Sequence, residues 1–244
     1  MTTALVDVEC VGLDLGALRP ERDALEATLA SDERAHADRH GSPALRERFV
    51  LRRGVLRRLL AAREGLEPAA LALRAGAAGK PSLLGSDLRF SASSSGDVFA
   101  VALARGVDVG LDVERLREVE DLDLAADSVL TARDRARLGA LPRAARGEAF
   151  LRLFTLREAL AKRDGSGIAG GGGGEDLPIE ALTGDGTYPA RTASGTTLSL
   201  VSRSVGVRFL LALAVAGPAR VHWDLGSFAP APDGRPVVEP ARAG

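Results

Sequence analysis

The stretch Val109-Gly110-Leu111-Asp112-Val113-Glu114 decides how this chain folds, because its alternating pattern is typical of a strand with two carboxylates on one face. Asp112 and Glu114 project together, while the apolar residues of the stretch pack on the opposite side. Further along, Phe154-Thr155-Leu156-Arg157-Glu158-Ala159-Leu160-Ala161-Lys162 is predicted as a helix, in which Glu158 and Lys162 share a face. Three carboxylates and a lysine are suited to holding a hard divalent cation and a phosphate.

Each of these pairs also has an ordinary explanation. Alternating polar residues are common on the solvated face of a strand, which would account for Asp112 and Glu114. Glu158 and Lys162 can form an exposed i,i+4 ion pair worth roughly 0.3–0.5 kcal/mol. Taken singly, neither pair indicates a site, so the chemical interpretation depends on the other signals in the chain.

The composition limits the classes of protein to consider. The 244 residues have a net charge of −1, so no overall positive field favours nucleic acid or an anionic membrane. The single cysteine, Cys10, excludes an internal disulfide and a cysteine metal cluster. Residues 1–15 lack the basic start of a signal peptide, and no apolar stretch is long enough for a membrane span. We expect a cytoplasmic protein without nucleic-acid or membrane partners.

The order of predicted elements indicates an α+β fold. Each half of the chain runs helices followed by short antiparallel strands, rather than alternating strand and helix. Residues 217–244 are rich in proline and are predicted as an irregular tail. Helices are predicted over 20–37, 44–63, 122–130, 132–141 and 148–164, and strands over 71–73, 88–90, 98–104, 107–113, 197–201 and 207–215. The halves are predicted to be similar modules joined near residues 105–115, where a ligand cleft commonly forms.

Three further segments carry weaker signals. The predicted helix 44–63 has seven arginines against one glutamate, which is usually a solvated face but here mildly favours a bound anion. Gly79-Lys80-Pro81 is predicted as a turn, either merely tight or open to a flat ligand. Phe90-Ser91-Ala92-Ser93-Ser94-Ser95-Gly96 is predicted to end a strand in a polar turn, whose hydroxyl and N–H groups can also line a diphosphate.

These signals occur in an order that resembles the Sfp-type 4′-phosphopantetheinyl transferases of the holo-acyl-carrier-protein synthase superfamily. The resemblance covers roughly residues 29–168, and its most specific part is Gly-x-Asp-x-Glu at 110–114 followed by Glu-Ala-x-x-Lys at 158–162. The family fold consists of two similar α+β halves related by a pseudo-twofold, with the active site at their junction. The halves here would be residues 1–108 and 109–216.

The resemblance implies an activity and a set of site residues. The family moves the 4′-phosphopantetheine arm of coenzyme A onto a serine of an apo acyl or peptidyl carrier protein and releases 3′,5′-ADP. The implied ligands of Mg²⁺, with Mn²⁺ as an alternative, are Asp112, Glu114 and Glu158. Glu158 would also help to deprotonate the carrier serine, directly or through a water, and Lys162 would neutralise the diphosphate. The implied coenzyme A contacts are Arg53 at the 3′-phosphate, Gly79, Lys80 and Pro81 at the adenine, and Ser93 and Ser94 near the phosphates.

Four positions depart from the family pattern. Ser91 and Ser94 replace the usual asparagine and histidine, and Phe154 and Arg157 replace the usual tryptophan and lysine. The histidine would have bound a phosphate, so its loss weakens coenzyme A binding or leaves that role to another cation. The Gly170–Gly174 run is also atypical and would loosen the loop after the catalytic helix.

Three functions compete on these grounds. We expect an active, monomeric transferase, since the implied metal ligands and Lys162 are intact. The alternative is a homologue that binds coenzyme A or another nucleotide but is inactive or adapted to a different reaction, which Ser94 favours. The third function, nucleic-acid binding through the arginine-rich helix, is disfavoured. The chain has neither a net basic charge nor the aromatic side chains on which bases stack.

Overall fold

Two four-stranded sheets form the centre of the molecule. The computed structural model describes residues 5–76, 79–165, 177–192 and 194–225. The strands are β1 (Val6–Asp14), β2 (Leu73–Ala75), β3 (Pro81–Leu83), β4 (Leu88–Ser95), β5 (Val98–Arg105), β6 (Val109–Arg115), β7 (Gly186–Arg191), β8 (Thr197–Val205), β9 (Phe209–Ala216) and β10 (Ala219–Asp224). Their orders are β10-β1-β5-β4 and β6-β9-β8-β7, and β2 and β3 form a separate pair.

Six α-helices accompany these sheets in the part of the chain that the structure describes, which confirms the α+β class. They are α1 (Arg22–Glu26), α2 (Ser31–Asp38), α3 (Pro43–Glu64), α4 (Leu122–Val129), α5 (Ala132–Ala140) and α6 (Arg143–Asp164). All strand pairs are antiparallel except β1 with β10. None of the described helices is long and apolar enough to cross a membrane. The pseudo-twofold relation of the halves and the boundary at 108/109 stay predictions.

Apolar burial stacks the elements in layers. Helix α3 packs its apolar side on the first sheet, and α6 packs on the second. A third apolar cluster lies between the two sheets, where β6 contributes Val109, Leu111 and Val113, all 0% exposed. The opposite face of β6, with Gly110 and Asp112, is therefore turned towards α6, as the alternation of its sequence predicts.

The prediction of one helix over 20–37 is wrong, because the helical conformation is interrupted between α1 and α2. The Thr28 hydroxyl donates to the carbonyl of Leu25 at 2.6 Å, which closes the first segment. The carboxylate of Glu33 accepts the backbone N–H of Ala30 at 3.0 Å and so caps the start of α2. These local side-chain bonds favour two short helices over a continuous one.

The structure corrects two further predictions. The serine-rich segment is not a turn: β4 continues through Ser95, and the turn begins only at Gly96, whose φ is +62°. The predicted irregular tail is wrong over residues 219–224, which form β10 because β1 offers a free edge for backbone pairing. Residues 226–244 and most of the glycine-rich stretch, including Gly170–Gly174, lie outside the described residues.

A buried ion cluster fixes α2 on α3. Glu33 is 5% exposed and receives the guanidinium groups of Arg53 and of Arg57, the latter at 2.5 Å. Burial by itself opposes ionisation of Glu33, but the hydrogen bonds from Arg57 and Ala30 and the charge of Arg53 hold the pKa of this carboxyl below its usual value. Arg57, 2% exposed, also donates to the carbonyl of Pro68 at 2.6 Å.

Glu33→Gln should lower the free energy of unfolding by about 3–5 kcal/mol near pH 7, because it leaves buried guanidinium charge unpaired. A carboxyl with a lowered pKa stabilises the fold above its unfolded pKa, and that contribution is lost as pH falls through the folded pKa. The deficit should therefore shrink below about pH 4. Urea denaturation from pH 3.5 to 7 measures it. Glu47→Gln, which removes a partner of Arg19 at 3.4 Å on the surface, is the control and should cost under about 1 kcal/mol. A deficit independent of pH would contradict this account.

Strand β6 and helix α6 approach at backbone distance at Gly110. A Cβ atom built on Gly110 would lie 1.9 Å from the carbonyl oxygen of Ala159 and 2.4 Å from the amide nitrogen of Arg163. Lys80 adds a bridge at the same place, since its ammonium donates to the carbonyls of Val109 at 3.1 Å and Arg163 at 2.8 Å. Only glycine at position 110 permits this contact.

Gly110→Ala should therefore prevent soluble folding or lower the thermal midpoint severely, because both neighbours of the new methyl group are backbone atoms. Gly147→Ala is a matched control on α6, where a Cβ would meet nothing within 4 Å. It should stabilise the protein by about 0.5–1 kcal/mol through the higher helix propensity of alanine. Soluble yield and thermal midpoints test the pair, and equal behaviour of the two variants would refute the close contact at Gly110.

Candidate active site

Asp112 is the centre of the site. It is 3% exposed, and its Oδ1 accepts hydrogen bonds from Ser93 Oγ at 2.7 Å and Lys162 Nζ at 2.6 Å. Its Oδ2 is buried and has no hydrogen-bond partner within the described residues. Three predicted site residues from three different elements therefore meet here: Ser93 of β4, Asp112 of β6 and Lys162 of α6.

Glu114 and Glu158 complete a set of three carboxylates that influence one another. Burial raises the pKa of Asp112, Glu114 and Glu158 above the ordinary values for these groups. The negative charge of Asp112 raises the pKa of both glutamates further, and Lys162 partly opposes the shift at all three. The fold therefore concentrates negative charge here and compensates it incompletely.

The same residues fit a divalent cation that is shared with a ligand. Among the described residues, no three acidic, histidine or cysteine side chains form a preformed metal cage. Mg²⁺ seldom uses such cages, since it takes one or two carboxylates together with waters and substrate phosphates. The buried Oδ2 of Asp112, which has no hydrogen-bond partner among the described residues, is the observation that fits such a shared cation.

A pocket of about 440 Å³ opens beside Asp112. It is lined by Phe49, Arg52, Arg53, Leu56, Ala92, Ser93, Ser94, Phe99 and Lys162. Four of the predicted site residues meet there: Arg53, Ser93, Ser94 and Lys162. Its lining includes three cationic side chains, Arg52 and Arg53 from α3 and Lys162 from α6, which suit an anionic ligand.

Comparison with known proteins decides the family. A family model described as the 4′-phosphopantetheinyl transferase superfamily matches residues 108–204. The 4′-phosphopantetheinyl transferase HetI of Nostoc sp. (strain PCC 7120) is 35% identical over 198 residues, which cover 79% of this chain and 81% of HetI. The chain belongs to the 4′-phosphopantetheinyl transferase superfamily. The slr0495 protein of Synechocystis sp. (strain PCC 6803), named provisionally as such a transferase, is 30% identical over 156 residues, 63% of each chain.

The family and the enzyme class predicted from the sequence are thereby confirmed. Of the other three departures from the transferase pattern, Ser91 and Arg157 are buried and Phe154 is half-buried. Ser91 Oγ accepts the backbone N–H of Leu111 at 2.9 Å, and Arg157 pairs with the buried Asp134 at 2.6 Å. The ring of Phe154 stacks on Phe150 with a centroid separation of 6.2 Å. Each substituted side chain thus has a structural partner.

Two residues expected at coenzyme A have other partners in the structure. Arg53 lines the pocket with 23% of its side chain exposed, but it is ion-paired with Glu33. Lys80 does not line the pocket; its ammonium joins β6 to the end of α6, where burial lowers its pKa. Gly79 has a φ of +83°, as a tight turn requires, and Pro81 begins β3. An adenine contact at Gly79-Lys80-Pro81 stays a prediction.

Sequence analysis missed Arg52 as a pocket residue. Its guanidinium Nη1 donates to Ser94 Oγ at 2.9 Å across the pocket wall. One signal in the sequence could have indicated it: Arg48 and Arg52 are four residues apart on one helix, where like charges repel unless an anion lies nearby. The family pattern drew attention instead to the neighbouring Arg53.

Glu158→Gln should raise the thermal midpoint at pH 7.5 in the presence of EDTA. A carboxyl whose folded pKa is raised stabilises the fold most below its unfolded pKa, and that contribution is lost as pH rises through the folded pKa. Removing this charge at pH 7.5 therefore relieves repulsion from Asp112 and Glu114. The gain should disappear near pH 4, and Glu118→Gln, at an exposed position, should change little. A lower midpoint for Glu158→Gln at pH 7.5 would contradict the mutual repulsion of the three carboxylates.

Proposed function

We propose that this enzyme transfers the 4′-phosphopantetheine arm of coenzyme A to a serine of an acyl or peptidyl carrier protein, with Mg²⁺ held by Asp112, Glu114 and Glu158. The observation that carries the proposal is the buried Asp112, with an unpartnered Oδ2 and a lysine on its Oδ1, at the edge of a pocket with three cationic groups. Membership of the transferase family and this arrangement point to the same chemistry.

A bound Mg²⁺ would supply positive charge to the diphosphate and hold it in place. The carboxylates that fit this ion are distributed over two elements, with Asp112 and Glu114 on β6 and Glu158 on α6. Because β6 and α6 are fixed against each other at Gly110, the donors keep their separation without the ion. Mn²⁺, which prefers similar ligands, is the expected substitute.

Lys162 is placed to bind the diphosphate and to stabilise the charge that develops on the leaving group. Its side chain lines the pocket and is 31% exposed, and its ammonium also donates to Ser93 Oγ at 2.9 Å. Two fixed acceptors orient it before substrate arrives, so little reorganisation is needed during the reaction. A lysine ammonium has three protons, and two of them are donated to Asp112 and Ser93, which leaves one for the substrate.

Glu158 is the candidate base. Burial and the neighbouring Asp112 raise its pKa, which makes its carboxylate a better proton acceptor than an exposed glutamate. The carrier serine oxygen would form a bond to the pantetheine-side phosphorus of the diphosphate, and its proton would pass to Glu158 directly or through a water. The bond from that phosphorus to the bridging oxygen breaks, and 3′,5′-ADP leaves with the electron pair.

An apo carrier protein incubated with the enzyme, coenzyme A and Mg²⁺ should gain one phosphopantetheine group by intact-mass measurement, and EDTA should abolish the gain. Asp112→Asn and Glu158→Gln should each lower the rate by about 10²–10⁴-fold. Glu118→Gln is the matched control and should keep the full rate. Several acyl and peptidyl carriers are needed, with an established transferase in parallel. Absence of modification on all of them would overturn the proposed function.

A further inference from the structure

Arg52 lies in the wall of the pocket and is half-buried. Its Nη1 donates to Ser94 Oγ at 2.9 Å, and its Nε donates to the carbonyl of Arg48 at 3.2 Å. Both acceptors are neutral. Within the described residues, no carboxylate lies within ion-pair distance of Arg52.

The other cations of this region each have a negative partner. Arg53 is paired with Glu33, and Lys162 is paired with Asp112. Arg48, one turn before Arg52 on α3, is paired with Asp97 at 3.3 Å. Arg52 is thus the one pocket cation, in the part of the chain that the structure describes, without a compensating charge.

An uncompensated guanidinium is costly in this position. Burial, and then the positive charge of Arg48, lowers the pKa of Arg52, which shows that the surroundings disfavour its charge. A half-buried cation is retained in a fold most readily when an anion binds beside it. Guanidinium groups match phosphate oxygens with paired, parallel hydrogen bonds, so a phosphate is the anion that suits the site best.

We propose that Arg52, held by Ser94, binds a phosphate group of the substrate in this pocket. The inference rests on the proposed function in taking coenzyme A as that substrate. Arg52 would then make the phosphate contact that a histidine at position 94 usually makes in the family. Ser94 cannot make an equivalent contact, because its neutral hydroxyl donates only one hydrogen bond. The small Ser94 side chain leaves room for the guanidinium and fixes its orientation.

Two phosphates of coenzyme A could be the partner, the 3′-phosphate or the diphosphate, and they can be distinguished. Calorimetric titration of Arg52→Gln and wild type with coenzyme A and with dephospho-coenzyme A separates them. Arg52→Gln should weaken coenzyme A binding by about 10- to 150-fold. If the partner is the 3′-phosphate, dephospho-coenzyme A should bind both proteins equally; if it is the diphosphate, both ligands should be weakened alike.

Arg48→Gln is the matched control, because it removes a guanidinium from the same helix outside the pocket lining. It should change the affinities for coenzyme A and for dephospho-coenzyme A less than twofold.

The thermal midpoint of Arg52→Gln should not fall below that of wild type, since no ion pair is lost; a fall would indicate that Arg52 is a structural residue. Arg52→Lys keeps the charge without the planar fork and should bind coenzyme A with intermediate affinity. Should Arg52→Gln fail to fold, Arg52→Lys measured against Arg48→Lys decides the question.

The same proteins, assayed with an apo carrier protein, separate failure of this inference from failure of the proposed function. Unchanged coenzyme A affinity in Arg52→Gln, with an active wild type, overturns the role of Arg52 and leaves the transferase function standing. If Arg52→Gln binds coenzyme A more weakly but the wild type modifies no carrier protein, the phosphate-binding role of Arg52 is supported and the proposed transferase function is overturned. A wild type that binds neither nucleotide overturns both.

Discussion

The contact between β6 and α6 at Gly110 is the constraint on which the site depends. The two elements touch through backbone atoms, so their separation is set by the main chain and not by rotatable side chains. The face of β6 that carries Asp112 and Glu114 is thereby held against the helix that carries Glu158 and Lys162. A set of carboxylates with raised pKa values would otherwise move apart, because each charge repels the next. The rigid contact maintains an arrangement that electrostatics alone disfavours.

The serines of β4 provide the second fixed relation, between the two sheets. Ser91 and Ser95 accept backbone N–H groups of Leu111 and Arg115, and Ser93 donates to Asp112 between them. Alternate serines of β4 in the first sheet are thus hydrogen-bonded to β6 in the second sheet. This arrangement gives Ser91 a defined role, although it departs from the family pattern. It also means that β4 both lines the pocket, through Ser93 and Ser94, and holds Asp112 through Ser93.

Helix α3, strand β6 and helix α6 could be predicted from the sequence because their signals are local. Strand β6 alternates apolar with polar or small residues, and helices α3 and α6 both end at glycines with positive φ, Gly65 and Gly165. The break near Thr28 depends on side-chain caps that periodicity does not reveal. Strand β10 depends on β1, a partner from the other end of the sequence. The structure joins Lys162 to Asp112 at 2.6 Å, while the roles of Asp112, Glu114 and Glu158 as metal ligands stay predictions. The position of Arg52 depends on which arginines of α3 find acidic partners in three dimensions.

The parallel pairing of β1 with β10 has a consequence for how the chain is made. Asp7 and His222 are in contact at a sequence separation of 215 residues. During synthesis, the outer edge of β1 therefore stays unpaired until residues 219–224 have left the ribosome. Closing so long a loop costs conformational entropy before any contact stabilises it, which favours late formation of this edge. An open strand edge can also pair with another chain, so the nascent protein is exposed to aggregation until its last described strand arrives.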